Sequence, residues 1–124
     1  MDITPVVSAD RQLIQGYGDN GFTVTGTRYD GSVVILPDRT HPWRLGAIAE
    51  LTVESLTPVL EAEVRPEILL IGCGRSMAPI PRDIRFALKS AGIVVEPMDT
   101  GAACRTYNVL ITEDRRVAAA LIAV

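Results

Sequence analysis

The stretch EILLIGCGRS, residues 67–76, places a glycine pair and an arginine directly after an apolar run. Glycine turns of this kind can hold phosphate on backbone N–H groups. A dinucleotide fingerprint needs a third glycine where Met77 stands, and a Walker loop needs a Gly-Lys-Ser/Thr sequence that the chain lacks. We therefore expect a turn leaving a buried strand, where Gly72, Gly74 and Arg75 could hold at most a small anion.

The two cysteines, Cys73 and Cys104, are the candidate nucleophiles or redox groups. Each follows a predicted strand, so both could lie at the carboxyl edge of a sheet, where α/β proteins build their sites. In the first turn of a helix beside Arg105, the Cys104 thiol could have a lowered pKa; burial as a small core residue is the alternative. The single histidine, His41, lies in a proline-flanked loop, so we assign no catalytic residue, metal or cofactor.

Polar residues are densest in EPMDTGAACRTYN, residues 96–108. Asp99, Thr100, Arg105 and Asn108 follow a predicted strand and begin a predicted helix, so they could converge on one ligand. In the alternative interpretation, Asp99 or Thr100 caps the helix while Arg105 and Asn108 are solvated.

Composition restricts the class of protein. The chain has 124 residues, 48% of them hydrophobic, which predicts one packed domain. Twelve basic and fifteen acidic side chains give a net charge of -3, so we expect no nucleic-acid partner. No apolar run approaches the roughly 20 residues that span a bilayer. The N-terminus has no signal-peptide layout, so we expect a cytoplasmic protein without membrane insertion whose cysteines remain thiols.

The first half of the chain, to about residue 50, predicts short antiparallel strands. The cluster GYGDNG predicts a chain reversal, and FTVTGTRY alternates with Phe22 and Val24 on one face. The pair Asp30 and Gly31 predicts a hairpin turn into the strand SVVILP. DRTHPW, which follows, is predicted to be a loop.

The second half, from about residue 51 to residue 124, alternates helices and strands. TPVLEAEV predicts a short helix with Thr57 as N-cap, and PRDIRFALKSAG predicts a helix that ends near Gly92. EILLIG, IVVEP and VAAALIAV predict strands. TGAACRTYNVLITEDRR predicts a last helix, with a strand at YNVLIT as the alternative. This order predicts a three-layer α/β fold with a mixed, partly parallel central sheet.

The strings YDGSVVILP, EILLIGCGRSMAPIP and GIVVEPMDTGAACRTYNVLITEDRRVAAALI together resemble domain of unknown function family 498. That family includes mitochondrial respiratory complex I assembly factor 3. The resemblance covers nearly the whole chain and implies a three-layer α/β fold with a mixed sheet. It implies no catalytic residue, and it implies a role as an assembly partner of a membrane complex. The matching positions that it marks as a shared surface or cleft are Gly72, Gly74, Met98, Thr100, Ala103, Arg105, Tyr107 and Asn108.

Two functions follow as hypotheses. The first is a non-enzymatic protein-binding or assembly module, with a homodimer as a further possibility. The second is a small-ligand binder or enzyme with a cleft at the carboxyl ends of the strands. A weaker third hypothesis is thiol redox between Cys73 and Cys104. The residues of the candidate cleft are Gly72, Cys73, Gly74, Arg75, Met98, Asp99, Thr100, Cys104, Arg105, Tyr107 and Asn108.

Overall fold

Two sheets organise residues 11–124, the part of the chain that the computed structural model describes. The first ten residues of the predicted strand-rich half lie outside the described residues. A three-stranded antiparallel sheet contains β1 (Ile14–Gly18), β2 (Gly21–Val24) and β3 (Thr27–Asp30). A five-stranded sheet contains β4 (Val33–Ile35), β5 (Thr40–Pro42), β6 (Ile68–Gly72), β7 (Val94–Met98) and β8 (Val117–Leu121).

Within residues 11–124, three α-helices and two 3-10 turns cover the five-stranded sheet. The helices are α1 (Thr57–Leu60), α2 (Arg82–Ser90) and α3 (Thr100–Thr112), and the 3-10 turns are Ile48–Glu50 and Glu54–Leu56. The helix predicted after Pro58 is therefore present but short, and its N-cap is Leu56 rather than Thr57, which already has helical backbone. The predicted helix before Gly92 is confirmed as α2.

The five-stranded sheet is mixed, with strand order β5-β4-β8-β6-β7. β6 runs parallel to both β7 and β8, and β4 pairs antiparallel with β8 and β5. All five residues of β8 are buried, as its apolar small-residue run predicted. The sequence-based prediction of a mixed, partly parallel sheet is confirmed.

Each face of this sheet carries its own hydrophobic cluster. On one face, Leu69 and Ile71 pack with Ile84 and Leu88 of α2 and with the 3-10 turns and α1. On the other face, Leu70 packs with α3 and with the three-stranded sheet. Burying one such leucine side chain is worth about 2 kcal/mol. The result is the predicted three-layer α/β arrangement.

The hairpin turn in the first half lies elsewhere than predicted. The chain reverses at Thr25 and Gly26, whose φ angles are 44° and 81°, and FTVTGTRY is therefore two strands rather than one. A type I′ turn needs positive φ at both central residues, which glycine adopts without strain. Asp30 and Gly31 instead carry the chain from the three-stranded sheet to β4 in the other sheet.

Two further predictions are resolved by the structure. DRTHPW is not wholly a loop, because its residues Thr40–Pro42 form β5 and pair with β4. The segment YNVLIT is helical and not a strand: Tyr107 and Ile111 are buried, while Val109 between them is 55% exposed. A strand would have placed all three on one face, whereas helical spacing turns Val109 to solvent.

Candidate functional site

The residues of the candidate cleft come from two segments, 72–75 and 98–108. These segments meet at the carboxyl ends of β6, β7 and β8. We call residues 72–74, 98–100 and 122 the carboxyl-end junction. The Cys73 N–H donates to the Met98 carbonyl at 2.8 Å, and the Thr100 N–H donates to the Gly74 carbonyl at 2.8 Å. The prediction that these segments lie together is correct, but they meet by hydrogen-bonding to each other.

Thr100 is the centre of the carboxyl-end junction and is fully buried. Its hydroxyl accepts from the Gly74 N–H at 3.0 Å and donates to the Ile122 carbonyl at 2.7 Å. One side chain therefore ties the end of β6 to the end of β8 while its backbone begins α3. A buried hydroxyl with both functions satisfied has little capacity left for a ligand.

Gly72 allows α3 to approach the sheet closely. A Cβ atom at this position would lie 2.9 Å from Leu121 Cδ2 and 3.0 Å from Thr100 Oγ1. The first distance is shorter than real Cβ contacts and the second is tighter than most, so a side chain at this position would force Leu121 or α3 to shift. Glycine therefore favours the close packing of helix against strand. This is the third role of glycine in a dinucleotide fold, filled by the first glycine of the loop.

The remaining nominated residues of this region divide into capping and exposed groups. Asp99 is the N-cap of α3 and accepts from the Ala102 N–H at 2.9 Å, which confirms the capping interpretation. Met98 is partly buried against the α3-side cluster. Arg75 is exposed, and Met77, two residues further on, is 62% exposed. The exposed surface beside the carboxyl-end junction is therefore formed mainly by residues 75–77 of the loop after β6, and we call these residues its rim.

The two thiols lie on opposite faces of the central sheet, which contradicts the redox hypothesis. Cys73 belongs to the cluster with α2, and Cys104 belongs to the cluster with α3. Both are buried and neither forms a disulfide. The expected lowering of the Cys104 pKa is also wrong, because burial raises it to about 12 and the nearby Arg105 opposes that rise only in part.

Asn108 clamps the backbone of β1 to α3. Its Oδ1 accepts from the Ile14 N–H at 3.0 Å, and its Nδ2 donates to the Ile14 carbonyl at 2.7 Å. The side-chain amide thereby satisfies both backbone groups of Ile14, as a neighbouring strand would. The alternative interpretation, in which Asn108 is solvated, is therefore wrong for this residue.

Two neighbouring side chains of α3 extend this clamp. The Tyr107 hydroxyl donates to the Gln12 carbonyl at 2.7 Å, and burial raises the pKa of Tyr107. Exposed Arg105 donates to the Tyr17 hydroxyl at 3.1 Å. We call Arg105, Tyr107 and Asn108 the α3 latch, because together they hold the chain segment before and within β1.

A small cavity of about 180 Å³ lies between β1 and α3. Tyr17, Cys104, Arg105 and Asn108 contribute to its lining, whereas residues 72–75 do not. The two nominated segments therefore do not share this cavity. Throughout residues 11–124, every buried side-chain nitrogen and oxygen has a hydrogen-bond partner. No group of three or more His, Cys, Asp and Glu side chains in that range could hold a metal ion.

Sequence reasoning missed the partners of the α3 latch. Gln12, Ile14 and Tyr17 lie 88 to 95 residues from the side chains that contact them. No local motif marks such pairs, since Gln12 and Ile14 take part through backbone atoms that every residue carries. An amide two turns into a helix was the only available signal, and it is also compatible with solvation.

Comparison with known proteins identifies the family that the sequence matches. The family described as "Protein of unknown function (DUF498/DUF598)" matches residues 14–122. A mouse protein named NADH dehydrogenase [ubiquinone] 1 alpha subcomplex assembly factor 3 is 37% identical over 109 residues, which cover 88% of this chain and 59% of the mouse protein. The frog (Xenopus tropicalis) protein of the same name is 33% identical over 93% of this chain and 63% of its own length. The chain thus spans about three fifths of these relatives.

Solved structures share the fold. A Bartonella henselae crystal structure, described as an outer membrane protein, is 37% identical with a TM-score of 0.85 and covers 91% of this chain and 95% of its own. A Bordetella pertussis solution structure described as an Mth938-like domain is 26% identical with a TM-score of 0.83 and covers 98% of this chain and 92% of its own. Within residues 11–124, no helix is both long and apolar enough to cross a bilayer.

Proposed function

The chain belongs to the DUF498/DUF598 family, and from that membership we propose that it is a non-enzymatic protein-binding module with an assembly role. The names of its relatives support the role, because they are assembly factors of a NADH dehydrogenase subcomplex. The partner under this proposal is another protein, and a second copy of the chain is the further possibility.

The observation that carries the proposal is the commitment of the nominated side chains to the fold. Thr100, Asp99, Tyr107 and Asn108 all use their polar atoms on backbone groups of the same chain. A catalytic group must instead present its reactive atom to a substrate within hydrogen-bond reach. The arrangement favours a scaffold that presents a surface over a site that performs a reaction.

We propose that the exposed rim of the carboxyl-end junction contacts the partner. Arg75 and the 62%-exposed Met77 both lie in the loop after β6, separated by the exposed Ser76. Methionine and arginine are both enriched at protein interfaces, where a flexible apolar side chain and a guanidinium supply contact area. The backbone under this loop is fixed by the hydrogen bonds of residues 73 and 74, so the rim is held in place before binding.

Partner capture from the source cells tests both the role and the surface. The test variant is Arg75→Ala with Met77→Ser, and the matched control is Lys89→Ala with Phe86→Ser, which removes an exposed cation and a 71%-exposed apolar side chain from α2. We expect the wild type and the control to retain the same partner and the test variant to lose most of it. Capture of no protein above background by the wild type contradicts the binding role. Equal capture by the test variant contradicts only the proposal that the rim contacts the partner.

Cytoplasmic residence belongs to the same proposal. The two free cysteines, which are usual in a reducing compartment, support it, and cell fractionation with an antibody against the chain tests it. Recovery of the protein in a membrane or periplasmic fraction contradicts it. Light scattering on the purified chain distinguishes a monomer that needs another protein from a homodimer.

A further inference from the structure

Two cavities outside the candidate cleft lie beside β5. One cavity of about 380 Å³ is lined by His41 and by Thr57 and Pro58 at the start of α1. A second cavity of about 440 Å³ is lined by Pro42 and Trp43 on the strand side and by Ser55 on the other. Leu36 in the first lining and Trp43 in the second belong to the same hydrophobic cluster, so the two cavities lie on the same side of the central sheet. We call the two cavities together the β5 groove.

The lining of the β5 groove is apolar within and acidic at the edge. Apolar atoms come from Leu36, Pro58 and Ala62 in one cavity and from Trp43 and Leu45 in the other. The Trp43 ring is 7% exposed, and its Nε1–H donates to the Ser55 carbonyl at 2.9 Å, which fixes it in the wall. The five carboxylates of the lining, all on exposed residues, are Asp38, Glu50, Glu54, Glu61 and Glu63.

The lining of the β5 groove carries a net negative charge. The five carboxylates face two arginines, Arg39 and Arg44, which leaves a formal charge of -3 with His41 neutral. The complete sequence has fifteen acidic and twelve basic side chains, so the remaining ten and ten cancel. The next cation along the chain, Arg65, donates to the carbonyls of Leu60 and Ala91 and does not line the groove. The lining of the groove therefore carries a formal net charge equal to that of the whole sequence.

Two of the five carboxylates have partners within the chain, whereas the other three are exposed on the wall of the groove. Asp38 pairs with Arg39 at 3.2 Å, and Glu50 accepts from the Gly46 and Ala47 N–H groups. The side chains of Glu54, Glu61 and Glu63 are exposed on the helical wall of the groove. Such a wall attracts cations and repels phosphates, so the part of the partner that binds here should be positively charged.

We propose that the β5 groove docks an extended protein segment in which arginine or lysine alternates with apolar residues. The alternation matches the chemistry of the site, since apolar side chains fit the floor and cationic ones reach the rim. The proposal rests on the protein-binding role argued above and adds a second surface with a stated partner chemistry. Nucleic acid and anionic membranes carry the wrong charge for this groove and serve as competing outcomes.

A designed peptide tests the groove without knowledge of the natural partner. The probe is a twelve-residue peptide that alternates arginine with leucine, and its counterpart alternates glutamate with leucine. Trp43, the single tryptophan, reports binding by fluorescence, and amide chemical shifts locate it. We expect saturable binding of the basic peptide, weakened by salt, with shifts confined to residues 36–45 and 50–63. The acidic peptide, a DNA duplex and phosphatidylserine vesicles should produce none of these changes.

Matched charge variants separate the groove from general electrostatics. The test variant combines Glu54→Gln, Glu61→Gln and Glu63→Gln, and the control combines Asp83→Asn, Glu96→Gln and Glu113→Gln, which are exposed outside the groove. Both change the net charge equally. We expect the test variant to bind the basic peptide at least tenfold more weakly and the control less than threefold more weakly, with both retaining the fold by circular dichroism.

Several outcomes overturn the proposal. These are equal weakening in both variants, shifts outside the groove, binding of the acidic peptide or of DNA, or no binding by the wild type. None of these results affects partner capture through the carboxyl-end rim, which is measured with unmodified groove residues. Failure of the groove and failure of the protein-binding role are therefore distinguishable.

Discussion

Asn108 gives the most direct test of how this fold is held together. Asn108→Ala removes two hydrogen bonds, at 3.0 and 2.7 Å, and leaves both backbone groups of Ile14 unpaired where that residue is 5% exposed. Each bond is worth about 1 kcal/mol net, and the unpaired groups raise the total cost to about 2–4 kcal/mol. Alanine recovers about 0.5 kcal/mol in helix propensity. We expect the free energy of unfolding to fall by about 1.5–3.5 kcal/mol.

Two measurements check this result. Urea denaturation gives the free energy of unfolding, and amide hydrogen exchange gives the protection of the Ile14 N–H. In Asn108→Ala that amide should exchange at least tenfold faster, because it loses its acceptor. Val109→Ala is the control, since Val109 is 55% exposed on the same helix and should change stability by less than about 0.5 kcal/mol.

Asn108→Asp separates the two hydrogen bonds. The carboxylate still accepts from the Ile14 N–H, but it cannot donate to the Ile14 carbonyl and faces that oxygen with a negative charge. This contact raises the pKa of the introduced carboxyl in the folded state above its unfolded value. Stability should therefore be higher at acidic pH, where the protonated group donates, and should be lost as pH rises toward 7. If Asn108→Ala costs less than about 0.5 kcal/mol and Ile14 stays protected, the clamp is not a structural element.

Three further predictions follow from burial and close packing. Burial raises the pKa of Cys104 from 9.0 to about 12, so the Cys104 thiol should resist a thiol reagent at pH 8 until the chain unfolds. Rapid labelling of Cys104 in the folded protein would contradict this. Because the folded state holds that proton more tightly, stability should fall as pH rises above about 9, less so in Cys104→Ala. Gly72→Ala should cost about 1–3 kcal/mol by overpacking, whereas Gly16→Ala, with open space around it, should be nearly neutral in urea denaturation. Phe22→Ala and Leu88→Ala, from opposite faces of the central sheet, should each cost about 3–4 kcal/mol and lower the midpoint of one shared transition; two separate transitions would refute a single domain.

The elements that the sequence predicted well are those whose signal is local. EILLIG and VAAALIAV are continuous apolar runs, and burial on both faces of a central strand requires that composition. The stripe of Ala103, Tyr107 and Ile111 likewise contains the helical period within a few turns. In these segments the residues that decide the structure are neighbours in sequence.

The position of the turn between β2 and β3 could not be predicted from local sequence signals. Thr25-Gly26 and Asp30-Gly31 are both compatible with a reversal, and the Asp-Gly pair is the stronger signal. The choice depends on strand pairing, because reversal at Gly26 sets Phe22 opposite Tyr29 and buries Phe22 completely. That gain comes from packing against the second sheet, which a window of sequence does not contain.

Of the two cysteines, only Cys73 could be assigned to a face of the sheet from the sequence. Leu69, Ile71 and Cys73 alternate, so strand periodicity alone puts the Cys73 thiol on the face of Leu69. The face taken by Cys104 depends on which side α3 crosses the sheet. That side is set by the handedness of the β7–α3–β8 connection and by the strand order, neither of which is a property of residues 96–108.

The density of polar residues at the carboxyl-end junction has a physical cause that does not require a ligand. Parallel strands that end beside a helix leave backbone N–H and C=O groups without partners, and burial makes each of them costly. Thr100 supplies partners for residues 74 and 122, and Asp99 supplies one for Ala102. A small molecule in the same place would have to replace these bonds with its own. The junction is therefore better suited to supporting an exposed rim than to opening around a substrate, so the partner should contact the loop that carries Arg75 and Met77.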